Sequence, residues 1–196
     1  MKEYCYFLGS SVTYGFATNG VSFVEMIGKE HQIDVIKEAV SGTTLMDNGD
    51  QSYLSRFLKT VDINKSYKAF IIQFSTNDSH DDIPNGDVSA EFEYSYDTKT
   101  TFGSLETILS FIKTNFSQSK VLIYTNFPFE NEKYKQMVAK LDTLTEKWNV
   151  QIIDFYHYKD MKILSKDELP RMMADPIHPN LEGYKYMADI ISKYIF

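Results

Sequence analysis

An alternation constrains this chain more than any other feature. Four short apolar runs carry β-branched or aromatic residues: Tyr4–Leu8, Ala69–Phe74, Val121–Tyr124 and Val150–Phe155, with Ile33–Ile36 as a weaker fifth. Between them the apolar residues fall at helical spacing. Tyr134, Met137, Val138, Leu141, Leu144 and Trp148 make one amphipathic stripe, Leu105, Ile108, Leu109 and Ile112 a second, and Met187, Ile190, Ile191 and Tyr194 a third. Continuous apolar strands alternating with helices predict an α/β fold, a roughly five-stranded parallel sheet covered on both faces. Such sheets bind ligands beyond the carboxyl ends of their strands. FLGSS, QFSTND and YTNFPF put their polar residues there.

The 196 residues fit one domain, 1–196, with no internal repeat and no low-complexity linker. The stretch 78–101 stands apart: it is acidic, contains Tyr and Phe, and has Pro84-Asn85-Gly86 as a turn signal. Two readings fit it, a lid beside the site with Phe92, Tyr94 and Tyr96 lining a substrate pocket, or a solvated excursion. The net charge is 20 − 27 = −7, with the acidic residues widely spread. A nucleic-acid partner needs a clustered basic surface and is not expected. The one cysteine, Cys5, lies in an apolar run and reads as a small buried hydrophobe. No stretch approaches the ~20 apolar residues of a membrane span. With no basic and apolar leader ahead of the first run, a cytoplasmic location is expected, although a chain trimmed of its leader would read the same.

Several residues at predicted strand ends could carry chemistry. In FLGSSVTYG, Ser10 and Ser11 stand where the first strand runs into a turn closing on Gly15. A serine hydroxyl attacks nothing without a base and an anion-stabilising pocket. In ADPIHPNLEGY, Asp175 precedes His178 by three residues, and Pro176 and Pro179 stiffen the segment. A stiff segment can hold a carboxylate on one imidazole nitrogen and point the other outward; a plain loop histidine before the last helix fits equally well. Asn77 in QFSTND could donate its amide into the cleft or simply cap a turn. Gly42 in EAVSGTTL could bring a backbone N–H close to a ligand or simply make a tight turn.

Taken together and in order, these segments resemble the SGNH (GDSL-type) hydrolases. The family's four blocks match Gly9-Ser10-Ser11-Val12-Thr13-Tyr14-Gly15, then Gly42, then Ser75-Thr76-Asn77-Asp78, then Asp175-Pro176-Ile177-His178-Pro179. The resemblance runs from the first strand to the last helix and implies a flavodoxin-like three-layer α/β/α sandwich. By register it makes Ser11 the nucleophile, with Ser10 where the family has Asp. Ser75 likewise replaces Gly, and Lys37 stands where the second block usually has Asn. The implied activity is hydrolysis of short acyl or acetyl esters through an acyl-enzyme, with a small-molecule or carbohydrate ester as substrate and no cofactor or metal. His178 would take the Ser11 proton, Asp175 would orient His178, and the Ser11 and Gly42 N–H groups with the Asn77 amide would hold the oxyanion.

Two alternatives stand beside this reading. Ser10 and Ser75 leave room for a member of the fold that has lost activity. A flavodoxin also starts with a strand and a Ser/Thr-rich turn that cradles the FMN phosphate, which GSSVTYG could do, but Asp175, His178 and Asn77 then have no role. Asp154 is the rival to Asp175 as the triad acid and reads as a strand-end hydrogen-bonder; His31 and His157 read as surface residues. His80 with Asp78, Asp81 and Asp82 lacks a defined ligand pattern and reads as a solvated loop rather than a metal site.

Overall fold

The computed structural model describes residues 2–157, 159 and 168–196. Five strands form a sheet of order β2-β1-β3-β4-β5: β1 (Glu3–Gly9), β2 (Asp34–Ala39), β3 (Ser66–Gln73), β4 (Lys120–Tyr124) and β5 (Gln151–Ile153). Every neighbouring pair is parallel. The chain moves outward from β1 on one side and from β3 on the other, so the crevice of a doubly wound sheet opens between these two strands.

Side chains alternate across the sheet and build two cores. Tyr6, Leu8, Phe70, Ile72 and Ile123 face one way, against α3 (Tyr53–Thr60), α4 (Thr101–Asn115), α5 (Glu132–Ala139) and α6 (Leu141–Trp148). Cys5, Phe7, Ala69, Ile71, Leu122 and Tyr124 face the other, against α1 (Ser11–Tyr14), α2 (Phe23–Glu30) and α7 (Leu181–Ile195). The result is a three-layer α/β fold in which both sheet faces are dry. That is why the strands read as unbroken apolar runs rather than as alternating ones. At roughly 1.5–3 kcal/mol per fully buried large apolar side chain, these two layers supply the main driving force for folding. Cys5 is fully buried, and burial pushes its thiol up to about 11.

Two expectations need correcting, and two helices carry no stripe the sequence reading singled out. The stripe from Tyr134 to Trp148 is two helices broken at Lys140, whose N–H reaches both Met137 O and Val138 O. The break keeps the apolar face in line, so periodicity alone does not reveal it. Helices α2 and α3 gave no long stripe because each has only 8 residues, although Ser22 and Glu25 form a capping box at the start of α2. The second correction concerns 78–101, whose aromatics do not line the cleft. Phe92 and Tyr96 pack on Trp148, away from Ser11, and Tyr94 is fully exposed. The segment is a strap pinned to α4 and α6. Lys147 Nζ bonds Glu106 Oε1 at 2.7 Å, with side-chain exposures of 8% and 0%, and also Ser89 O and Glu91 O. Only its start, at Ser79 and His80, reaches the cleft described next.

Candidate active site

The turn after β1 is held by packing and by one side chain. A Cβ at Gly9 would sit 1.8 Å from Thr13 Oγ1, so the backbone closes tightly only around a glycine. Gln73, the last residue of β3, accepts from Ser10 N–H at 2.9 Å, Thr13 N–H at 3.3 Å and Thr13 Oγ1 at 2.9 Å. The turn is thus fastened across the β1/β3 crevice. The two serines face opposite ways. Ser10 is fully buried and its hydroxyl has no hydrogen-bond partner among the described residues, whereas Ser11 lines the cleft.

Ser11 Oγ lies 2.9 Å from His178 Nε2, and His178 Nδ1 lies 2.7 Å from Asp175 Oδ2. With the carboxylate accepting at Nδ1, the imidazole carries its proton there and Nε2 is left to accept from the serine hydroxyl. The segment bearing this pair is over-determined. Asp175 Oδ1 also accepts from Ile177 N–H at 2.8 Å and His178 N–H at 2.7 Å. Met173 bridges Pro179, Asn126 Nδ2 donates to Ile177 O at 3.0 Å, and Asn180 caps α7 immediately afterwards. Burial raises the Asp175 carboxyl, but the hydrogen bonds from His178 and Ile177 outweigh it and hold the group below the usual carboxylate value. Phe16 covers the imidazole, with ring centroids 4.8 Å apart.

Gly42 and Asn77 line the same cleft of about 360 Å³, with Phe129, Asn131 and Ile177. Among the described residues, the Ser11 and Gly42 backbone N–H groups donate to nothing. Gly42 has φ +79° with open space where a Cβ would be, so its glycine is required by the backbone conformation and not by crowding. Asn77 Nδ2 donates one proton to Thr43 O at 2.8 Å, leaving the other free.

The remaining candidates sit elsewhere. Asp154 binds His157, through His157 N–H at 3.0 Å and Nδ1 at 3.0 Å, and it also meets Lys159 at 3.4 Å. His157 is exposed at its edge, while His31 is half-buried and stacked on Phe196 at 4.0 Å rather than at the open surface. Asp78 turns inward, accepting from Leu45 N–H, Met46 N–H and Thr101 Oγ1 at 2.7, 2.9 and 2.8 Å. Burial pushes its carboxyl up and these donors pull it partly back. The carboxylate therefore ties the loop after β2 to the start of α4 and is unavailable to His80. Among the described residues no group of three or more His, Cys, Asp or Glu side chains is arranged to hold a metal. Lys37 binds Gly20 O and Glu25, both at 2.8 Å, and so braces the loop after α1. Ser10 and Ser75 lie near the buried Tyr53 hydroxyl under the turn, but among the described residues none of the three hydroxyls has a hydrogen-bond partner, and burial pushes the Tyr53 phenol up.

Sequence reasoning missed Gln73, Asn126 and Phe16. Gln73 and Asn126 were visible as polar residues closing apolar strands, but which backbone atoms they serve depends on the packing of neighbouring strands.

A model of the GDSL-like lipase/acylhydrolase family matches residues 7–186. The chain belongs to this family. Membership makes it a hydrolase of ester type. No curated protein matches the chain significantly. Solved structures resemble it over its whole length. A Lactobacillus plantarum protein is 17% identical, covering 99% of this chain and 96% of its own, with a TM-score of 0.77. A protein assigned to the G-D-S-L lipolytic family from Desulfitobacterium hafniense is 17% identical and covers 100% of both chains at 0.74. A Corynascus thermopiles carbohydrate esterase family 2 enzyme with a carbohydrate-binding domain is 13% identical, covering 100% of this chain and 66% of its own at 0.68. At these identities the likeness shows the fold alone. Among the described residues no helix is long and apolar enough to cross a membrane.

Proposed function

We propose that this family member is a serine esterase that cleaves short acyl or acetyl carboxylic esters through an acyl-enzyme. The observation that carries the reading is the unbroken chain Ser11 Oγ–His178 Nε2–Nδ1–Asp175 Oδ2, at 2.9 and 2.7 Å. His178 takes the Ser11 proton as Oγ attacks the ester carbonyl, and the imidazolium is stabilised by Asp175. The carbonyl oxygen becomes an oxyanion facing the Ser11 and Gly42 N–H groups and the free Asn77 N–H, donors that are oriented before charge develops. His178 returns the proton to the leaving alcohol. Water, deprotonated by the same imidazole, then attacks the acyl-serine and releases the acid. Every step uses groups of this chain and needs no added electron or metal.

A cleft of about 360 Å³ lies at the small end of ligand sites and favours a short acyl group. Asn131, Ser79 and His80 on its wall offer polar contacts to a hydroxylated alcohol, and a carbohydrate esterase shares the fold. The FMN reading does not suit the site: the Ser11 hydroxyl is bonded to His178, and α1 has only 4 residues to offer an anion. The test is hydrolysis of p-nitrophenyl acetate and butyrate beside acetylated sugars, with a fluorophosphonate adduct mapped by peptide. We expect the adduct on Ser11 and the rate to fall with acyl length. An adduct on Ser10 overturns the register, and no turnover on any ester supports a member that has lost activity.

A further inference from the structure

A single buried arginine ties the elements of the oxyanion hole together. Arg56 lies on α3, and its side chain is 5% exposed. Its Nη2 donates to Gly9 O at 2.8 Å and to Thr43 Oγ1 at 3.2 Å, its Nε donates to Gln51 O at 2.9 Å, and its Nη1 pairs with Glu38 Oε1 at 3.2 Å. Gly9 lies two residues before Ser11 and Thr43 one residue after Gly42. Thr43 O in turn accepts the Asn77 amide at 2.8 Å, and Thr43 Oγ1 donates to Val40 O at 2.7 Å. Gly9 O also accepts Val40 N–H at 3.3 Å. All three oxyanion donors therefore hang from backbone or side chains within one or two links of this guanidinium.

We propose that Arg56 is a positioning residue that sets the spacing of the three oxyanion donors. The inference rests on the esterase reading above. Past the Gly9–Ala39 pair only one backbone hydrogen bond, Val40 N–H to Gly9 O, is described between the turn after β1 and the loop after β2, so side-chain ties contribute to fixing their separation. A guanidinium suits this because its planar fork reaches several acceptors at fixed angles, which a lysine ammonium on one flexible stem cannot match. Glu38, paired with Nη1 at 3.2 Å, supplies the counter-charge that lets the cation lie buried. Positioning and charge balance are thus carried by different arms of the same side chain. Oxyanion donors act only when aimed at the position the oxygen takes in the transition state, so a small shift lowers kcat while ground-state binding stays nearly the same.

The test compares Arg56→Lys, Glu38→Gln, Thr43→Val and Thr43→Ser on p-nitrophenyl acetate, with rates normalised to sites titrated by a fluorophosphonate so that unfolded protein does not count. For Arg56→Lys we expect kcat per titrated site to fall roughly 30- to 100-fold with KM within about threefold, and affinity for an aryl boronate to fall in parallel. Glu38→Gln should keep kcat within about threefold even where its melting temperature drops. Thr43→Val should lose about tenfold in kcat and Thr43→Ser should restore it, which carries the test if Arg56→Lys yields no titratable sites. Wild-type kcat in Arg56→Lys, or an equal loss in Glu38→Gln, overturns the proposal while leaving the esterase reading intact. Wild-type protein that neither turns over nor takes the label removes both.

Discussion

This chain contains two Asp-x-x-His segments of almost the same local geometry. In Asp154-Phe155-Tyr156-His157, Oδ1 accepts the histidine N–H at 3.0 Å and Oδ2 meets Nδ1 at 3.0 Å. In Asp175-Pro176-Ile177-His178 the same two contacts are both 2.7 Å. Locally, each carboxylate orients an imidazole and fixes its tautomer. The difference lies beyond the second nitrogen. His178 is 17% exposed and faces Ser11 Oγ; His157 is 43% exposed and, among the described residues, faces no nucleophile. An Asp–His pair is therefore a local motif that short sequence spacing can build. A proton-transfer site is a tertiary one, made only where the chain brings a third group to the free nitrogen.

The largest expected effect contrasts the two histidines. His178→Ala or Ser11→Ala should lower kcat/KM on p-nitrophenyl acetate by about 10⁴ or more, and the double variant should cost little beyond either, because the groups act as a unit. His157→Ala should stay within about threefold. Comparable losses at both histidines would erase the distinction. The carboxylates come next. Asp175→Asn keeps the shape but lets the imidazole adopt the wrong tautomer, and should cost about 10³–10⁴ in kcat. Asp154→Asn should leave kcat per titrated site within about threefold. If Asp154→Asn is the more damaging with folding intact, the acid has been misassigned.

Asn77→Ala sharpens the contrast from the other side of the acyl carbon, since among the described residues no such donor set is brought to His157. On the esterase reading one oxyanion donor of three is removed, so kcat should fall about 10²–10³ with a smaller change in KM. Equal changes in kcat and KM would show a ground-state contact instead. Ser10→Ala should stay within about tenfold of wild type, because its buried hydroxyl has no partner among the described residues; inactivation would give Ser10 a role that the geometry does not.

The smallest effect is on stability. The folded Asp175 carboxyl is held below the unfolded value of ~3.9, so its contribution is present above that pH and lost as pH falls through the folded value. The urea-unfolding gap between wild type and Asp175→Asn should therefore be full near pH 6 and close in strong acid. Its side chain is 42% exposed, so solvent screening keeps the gap under about 1 kcal/mol. A gap that widens on acidification would contradict the assigned direction.

The sheet was legible because strands buried on both faces must be apolar throughout, and each predicted run lies at a strand of the structure. Ser11, Gly42, Asn77, Asp175 and His178 were singled out by the order of four blocks along the chain, because each one alone read equally well as a turn, cap or loop residue. Short helices were less so: α2 and α3 are stabilised by the sheet they cover rather than by a long stripe of their own. Nothing in YLSRFLKT shows that Arg56 points inward to Gly9 O and Thr43, and nothing in EFEYSYD shows that Phe92 and Tyr96 pack on Trp148. Likewise the 167-residue separation of Ser11 and His178 carries no distance information. Sequence fixes periodicity and local hydrogen bonding, which act over a few residues. Which buried charge meets which loop, and which of two Asp–His pairs meets a serine, follows from strand order and helix packing, and those exist only once the whole chain has folded.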